Sequence, residues 1–281
     1  MNDISIVIIT HKSAKTALRF IKKIPINYKI LIIDNSYDYS LEKKIKKFRN
    51  IQLKFMNNKG YGAGINFARK YIKTKYLFAF SPDILGVNKN FLSEFSKIIK
   101  TKIKFGALGP RFLNVTQKSH KQSNIRKTVG VINAISGSAM LINIKAFDDI
   151  GGFDENIFLF FEENDFCRRL CLKNHMIYQI NKTKVSHPKG VKKGVVKINN
   201  KNIEKLQNFY GWHFMWSKFY FYKKKNKLLA FIIFIPIFFR LIMRILISFF
   251  TSSKKTKKYI MRLHGLITSM GGIRSYKRIN L

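Results

Sequence analysis

Residues 4–10 read ISIVIIT, a β-branched and almost wholly apolar run of strand length. Such a run predicts a parallel strand buried on both faces. Beyond Thr10-His11-Lys12-Ser13 the apolar positions switch to helical spacing at Ala17, Leu18, Phe20, Ile21 and Ile24. KILIIDNS (29–36) predicts a second strand ending in a polar turn, IQLKFM (51–56) a third, and YLFAF (76–80) a fourth that stops at Ser-Pro-Asp. INFARKYI (65–72) predicts the helix between the last two. Strands alternating with helices predict an α/β fold, a doubly wound and mostly parallel sheet flanked by helices. Ligands of such sheets bind outside the carboxyl ends of the strands.

The pattern then predicts a helix over 90–100, a strand within GALGPRF (106–112), a polar mobile loop over 114–130 and a turn and strand in ISGSAMLIN (135–143). A helix over 163–174 and short strands near 177–180 and 184–187 follow. After about residue 190 the character changes. KGVKKGVVK is basic and loop-like, an aromatic helix carries Phe209, Tyr210, Trp212, Phe214, Trp216, Phe219 and Tyr220, and LLAFIIFIPIFFRLIMRILISFF (228–250) is strongly apolar. The organisation read from this change is a domain over 1–195 and a helical, aromatic and basic extension over 196–281.

The apolar tail is bracketed by KKKNK (223–227) and KKTKK (254–258), and Arg240 and Arg244 interrupt it one turn apart. A spanning helix needs about 20 consecutive apolar residues. With basic clusters on both sides, the positive-inside rule gives no orientation. The reading is a helix or a hairpin kinked at Pro236, lying in the interface of an anionic membrane surface at its cytoplasmic face. A single span and a buried soluble helix are the alternatives.

Composition adds charge to this picture. The chain of 281 residues has 54 Lys+Arg against 14 Asp+Glu, a net charge of +40. Such a charge attracts polyanions, so a non-catalytic protein binding nucleic acid or anionic lipid is the alternative function. Lysine is spread along the whole length, with no RNA-recognition signature and no zinc finger, so no nucleic-acid partner is expected. Cys167 and Cys171, one helical turn apart with no second pair, exclude a disulfide framework and a zinc site as expectations. Met1-Asn2-Asp3 lead into the first strand without a signal-peptide pattern.

Against that background FLFFEENDFCRRL (158–170) is unusual, because Glu162, Glu163 and Asp165 fall within four positions directly behind an aromatic run. Carboxylates beside apolar surface need a partner or a task. Complementing a helix N-terminus is one such task. Asp165 and Arg169 are spaced for an i,i+4 ion pair. Thr10, His11, Asp34, Asn35, Ser36 and Asp83 gather where strands end.

The ordered series ISIVIITHKS, ILIIDNSYD, NNKGYGAGINFA, YLFAFSPDI, GALGPRF, ISGSAMLI, IGGFDENIFLFFEENDFCRRL and VSHPKG resembles the inverting glycosyltransferases of family 2, most nearly the rhamnosyltransferase-like branch. The resemblance implies a GT-A fold, a nucleotide-sugar donor and a saccharide or lipid-linked acceptor in surface polysaccharide synthesis. It implies that Thr10, His11 and Lys12 wall the base and ribose and that Asp34 accepts hydrogen bonds from them. It implies that the turn Gly60-Tyr61-Gly62-Ala63-Gly64 lets backbone approach the donor. Asp83 of Ser81-Pro82-Asp83 matches the aspartate that holds Mg²⁺ or Mn²⁺, with Ser81 departing from the usual Asn. His187 matches a metal-completing histidine of some relatives, while Pro188 and Lys189 replace the second histidine and glycines. Gly137, Ser138 and, in part, Asp165 fall on the acceptor side. Glu163 matches the general base and Glu162 an acceptor-binding or capping position, and the choice of base stays open between these two.

Overall fold

The computed structural model describes residues 3–113, 122–187 and 200–278. In chain order the first elements are β1 (Ile4–Thr10), α1 (Ala14–Ile21), β2 (Lys29–Asp34), α2 (Tyr39–Ile45), β3 (Ile51–Phe55), α3 (Tyr61–Arg69), β4 (Tyr76–Phe80) and α4 (Lys89–Ile99). They are followed by β5 (Ala107–Phe112), β6 (Val129–Val131), β7 (Ala139–Asn143), α5 (Ile144–Asp149), α6 (Glu162–Leu172) and β8 (Ile177–Val185). Three long helices close the chain: α7 (Asn200–Lys225), α8 (Lys227–Phe249) and α9 (Ser253–Met270).

The described strands form one eight-stranded sheet in the order β3-β2-β1-β4-β7-β5-β8-β6. The pairs β3–β2, β2–β1, β1–β4 and β5–β8 are parallel, and β7 and β6 run antiparallel to their neighbours. All seven residues of β1 are buried, as expected of a central strand covered on both faces. Ile4, Ile6 and Ile8 face Phe20, Ile21, Phe91 and Phe95 on one side, while Val7 and Ile9 face Ile65, Ala68, Phe166 and Leu170 on the other.

Three expectations are corrected. The helix expected from residue 65 begins at Tyr61 and ends at Arg69, so most of the glycine-rich stretch is its first turn. Gly60 supplies the turn with φ 101°, a left-handed value that favours glycine. Gly62 and Gly64 serve close packing instead: a Cβ would lie 2.8 Å from Phe153 and 3.1 Å from Ile9 respectively. The two short strands near 180 are a single β8 whose register against β5 shifts between Pro110 and Arg111. Asn181, beside that shift, donates to the carbonyls of Asn124 and Lys127, at 2.9 and 2.7 Å, and accepts from Arg111. Pro236 lies inside a continuous α8, not at the bend of a hairpin. Of the loop expected over 114–130, residues 114–121 lie outside the described residues, as do KGVKKGVVK and the Pro188-Lys189 end of VSHPKG.

The chain divides into two compact units. The first runs to Asp154 and resumes at Glu163; the second takes Glu155–Glu162 together with the C-terminal helices. In the second unit Met215, Phe219, Phe234, Leu241 and Leu266 form a core between α7, α8 and α9. Residues 155–162 pack on α7: Ser217 Oγ donates to the Leu159 carbonyl at 2.8 Å, and the Arg278 guanidinium lies 3.9 Å over the Phe158 ring. Phe160 and Phe161 both have left-handed backbones, with φ 66° and 67°. Such a bulky residue costs about 1–3 kcal/mol there. Ring contacts with Tyr210, Phe214 and Phe221 offset that cost.

Candidate active site

The carboxyl ends of β1 and β2 are held by a polar lattice. Thr10 is buried, with its hydroxyl 2.6 Å from Ser13 Oγ. His11 Nδ1 lies 3.2 Å from the Asn35 carbonyl, to which it donates, and the Lys12 amide donates to Ser36 Oγ at 2.9 Å. Asp34 is 1% exposed. Its Oδ1 accepts from the Ser36 amide and hydroxyl at 3.1 and 2.6 Å, and its Oδ2 accepts from the Asp38 amide at 2.6 Å. An ionised carboxylate has about four acceptor positions, so Asp34 spends most of its capacity ordering its own loop. Asn35 differs. It is buried, and its Oδ1 has no hydrogen-bond partner. The unsatisfied acceptor at this edge is thus the amide beside the carboxylate that the sequence singled out.

The next links join β4, β7 and α3. The Ser81 amide donates to the Ser138 carbonyl at 3.0 Å, continuing the β4–β7 ladder past its end. Ser138 is buried, with its hydroxyl 2.9 Å from Ser136 Oγ. The Tyr61 hydroxyl donates to the Gly137 carbonyl. A Cβ on Gly137 would stand 3.0 Å from the Tyr61 ring and 3.8 Å from Glu163 Cβ. Glu163, Gly137, Tyr61, Ser138 and Ser81 therefore form one contiguous set, and Asp83 lies two residues beyond Ser81.

Asp83 is brought to His187 by a device the sequence reading missed. Leu85 and Ser186 exchange both backbone hydrogen bonds, at 2.9 and 3.0 Å, in an isolated antiparallel bridge. Gly86 permits this approach with φ 97°, where a Cβ would lie 2.5 Å from the Lys184 carbonyl oxygen. As a result His187 Nε2 is 3.3 Å from Asp83 Oδ1, with both side chains partly exposed. Burial pushes the Asp83 carboxyl up, but the hydrogen bond and charge of His187 and the backbone amide outweigh it, and the net shift is downward. An ionised carboxylate beside an imidazole suits Mg²⁺ or Mn²⁺ whose remaining positions are filled by phosphate oxygens and water. Among the described residues no cluster of three or more His, Cys, Asp or Glu side chains gathers.

On α6 the three acids differ in environment. Asp165 has no exposed surface and accepts from Arg169 Nε at 2.8 Å, while Arg169 also donates to the Ile150 carbonyl at 2.8 Å. Through this i,i+4 pair, expected from the spacing, it ties α6 to the end of α5. Glu162 is buried and falls with the second unit. Glu163 is half-buried. Desolvation pushes its pKa up, against the lowering effect of its own backbone amide. One turn on, Cys167 is buried and its thiol is pushed up to about 12, mainly by burial, which makes it unreactive.

No protein-family model matches the chain. Among curated proteins, the low-salt glycan biosynthesis hexosyltransferase Agl10 of Haloferax volcanii is 24% identical over 201 residues, covering 64% of this chain and 65% of the relative's length. Among solved structures, a mannosyltransferase of Pyrobaculum calidifontis in complex with GDP-Man and Mn²⁺ superposes with a TM-score of 0.57 at 10% identity, covering 95% of this chain and 86% of that one. Residues 1–349 of TarS of S. aureus, in complex with UDP-GlcNAc, give 0.53 at 13% identity, with coverages of 97% and 93%. At such identities the likeness establishes the fold, the GT-A arrangement of a mostly parallel sheet with flanking helices, followed here by a helical C-terminal region.

Proposed function

We propose that this chain is a glycosyltransferase that moves a hexose or a deoxyhexose such as rhamnose from a nucleoside-diphosphate donor to a saccharide or lipid-linked acceptor, with inversion, as family 2 enzymes do. The observation that carries the reading is the contiguous set linking Glu163 through Gly137 and Ser138 to Ser81, next to the Asp83–His187 pair, at the carboxyl edge of a GT-A sheet. The relative named as a hexosyltransferase supports it, as do the neighbours holding GDP-Man or UDP-GlcNAc.

Asp83 and His187 are assigned to hold a divalent cation, consistent with the Mn²⁺ of the mannosyltransferase. When bound, that cation stabilises the negative charge gained by the departing nucleoside diphosphate. Thr10, His11 and Asn35 are assigned to the nucleoside, with Asp34 holding their loop and Gly60 opening the turn before α3. Gly137 and Ser138 floor the sugar. Glu163 takes the proton from the acceptor hydroxyl as that oxygen bonds to the anomeric carbon opposite the diphosphate. Its raised pKa makes it a stronger base than an ordinary glutamate. Glu162 shapes the acceptor approach.

The test is a screen of UDP-, GDP- and dTDP-sugars against saccharide and lipid-linked acceptors, with Mn²⁺ or with chelator. Transfer from at least one donor that falls away with chelator is expected. Absence of transfer from every donor, together with no calorimetric binding of any nucleoside diphosphate, would sink the reading in favour of the polyanion-binding alternative.

A further inference from the structure

Helix α8 carries two opposite stripes. Ala230, Phe234, Leu241 and Ser248 are buried against its neighbours. At about 100° per residue these four share one narrow arc, and Leu228, Ile232, Ile235, Phe239, Met243 and Leu246 cluster on the opposite side. All six of those are exposed. The helix is 23 residues long, has a mean hydropathy of 2.4 over its most apolar stretch, and buries only 17% of that stretch within the protein.

We propose that the outer stripe of α8 is a lipid-contact face, and that the helix lies in the plane of an anionic bilayer surface and does not cross it. The neighbours of α8 argue against crossing. Lys218 Nζ stands 5.7 Å from the Phe234 ring, so the first half of α8 packs beside a charged turn of α7. In the second half, Ser248 accepts from Thr256 at 3.0 Å and Arg244 lies 5.6 Å from the Tyr259 ring, placing the lysine-rich start of α9 alongside. Crossing would carry Lys218, Arg240 and Arg244 to hydrocarbon depth, where each charge is costly. In plane, the two arginines, both exposed, lie outside the apolar stripe and stay at the level of the headgroups. The ends of α8 carry Lys223, Lys224, Lys225 and Lys227 on one side and Lys254, Lys255, Lys257 and Lys258 on the other. These select the occupant. A second copy of a chain at +40 would set lysine against lysine, whereas an anionic leaflet complements both clusters. This surface does not depend on the transfer chemistry.

The experiment is flotation of the full chain with vesicles of phosphatidylcholine alone or with phosphatidylglycerol added. Binding only to the anionic vesicles is expected, about fivefold weaker for each of Lys254, Lys255, Lys257 and Lys258 replaced by Gln. The double change Ile232→Glu and Phe239→Glu, at exposed positions, is expected to abolish flotation while leaving the thermal melt and nucleoside-diphosphate binding intact. Depth is read from spin labels on cysteines placed singly at Ile232, Phe239 and Leu246, in a Cys171→Ser background. Equal shallow depth at all three supports the in-plane helix, and a maximum at Phe239 overturns it. Equal binding to neutral vesicles, no flotation, or a vesicle-independent dimer lost on Phe239→Glu would each overturn the proposal as well.

Discussion

At the carboxyl edge of the sheet, polar side chains are buried and turned toward one another; along the outer face of α8, apolar side chains are turned away from the protein. Asp34, Asp165 and Ser138 find partners within the first unit, while Phe239, Met243 and Leu246 stay exposed on the second. The contrast teaches where to look for function in a chain dominated by lysine. In the first unit the informative groups are the few whose needs are unmet, Glu163 with its raised pKa and Asn35 with its unpartnered oxygen. In the second unit the informative feature is a whole face.

The largest expected effect tests the unmet carboxylate. Glu163→Gln should lower the transfer rate about 10²–10⁴-fold, the usual contribution of a general base. It should also leave the melting temperature at pH 7 unchanged or raised. A folded-state pKa above the unfolded one means that the stability tied to the protonated form is complete below the unfolded value and is lost as pH rises toward the folded value. Above the unfolded value the glutamate therefore carries a desolvation cost that glutamine removes. A melt that drops sharply would put Glu163 among the structural acids.

The satisfied carboxylate gives the opposite result. Arg169→Ala removes the Arg169 partner of the fully buried Asp165, a loss of about 3–5 kcal/mol of stability by urea unfolding. Little change would mean that Asp165 is not the anchor described.

Next comes His213 on α7, whose pKa is pushed down to about 4 chiefly by burial, against the raising effect of the Lys277 carbonyl it contacts at 3.0 Å. The unfolded imidazole titrates near 6.5, so stability is complete above that value and falls as pH drops toward 4. The loss is on the order of 3 kcal/mol for this group. His213→Gln should flatten this part of the stability profile. The smallest effect falls on Asn35: Asn35→Ala should weaken nucleoside-diphosphate binding by about 1–2 kcal/mol in calorimetry, the scale of one hydrogen bond. It should leave the fold intact, since Oδ1 serves no protein partner.

Much of this architecture could be read from residue order. The apolar runs of β1, β2 and β4 specify central strands because alternation disappears where both faces are covered, and the ordered motifs led to the GT-A fold that the structural neighbours share. Other features could not be read. Gly62 and Gly64 looked like a turn because composition does not distinguish a glycine needed for φ from one needed for close packing. β8 looked like two strands because Asn181, Lys182 and Thr183 are polar, although the first and last are buried at the register shift. The three hydrogen bonds that Asp34 accepts within its own loop could not be read, because a sequence does not show which hydrogen bonds are already made. The left-handed backbones of Phe160 and Phe161, and the bridge that brings Asp83 to His187, arise from tertiary packing and leave no local signal.

The most direct test of the central claim is the pH dependence of kcat/KM for transfer, with Mn²⁺ saturating. If Glu163 is the base beside a cation-holding Asp83, the rate should climb through an apparent pKa above the usual glutamate value of about 4.3. That limb should vanish in Glu163→Gln and persist, at lower overall rate, in Asp83→Asn. A limb that survives unchanged in Glu163→Gln would contradict the account.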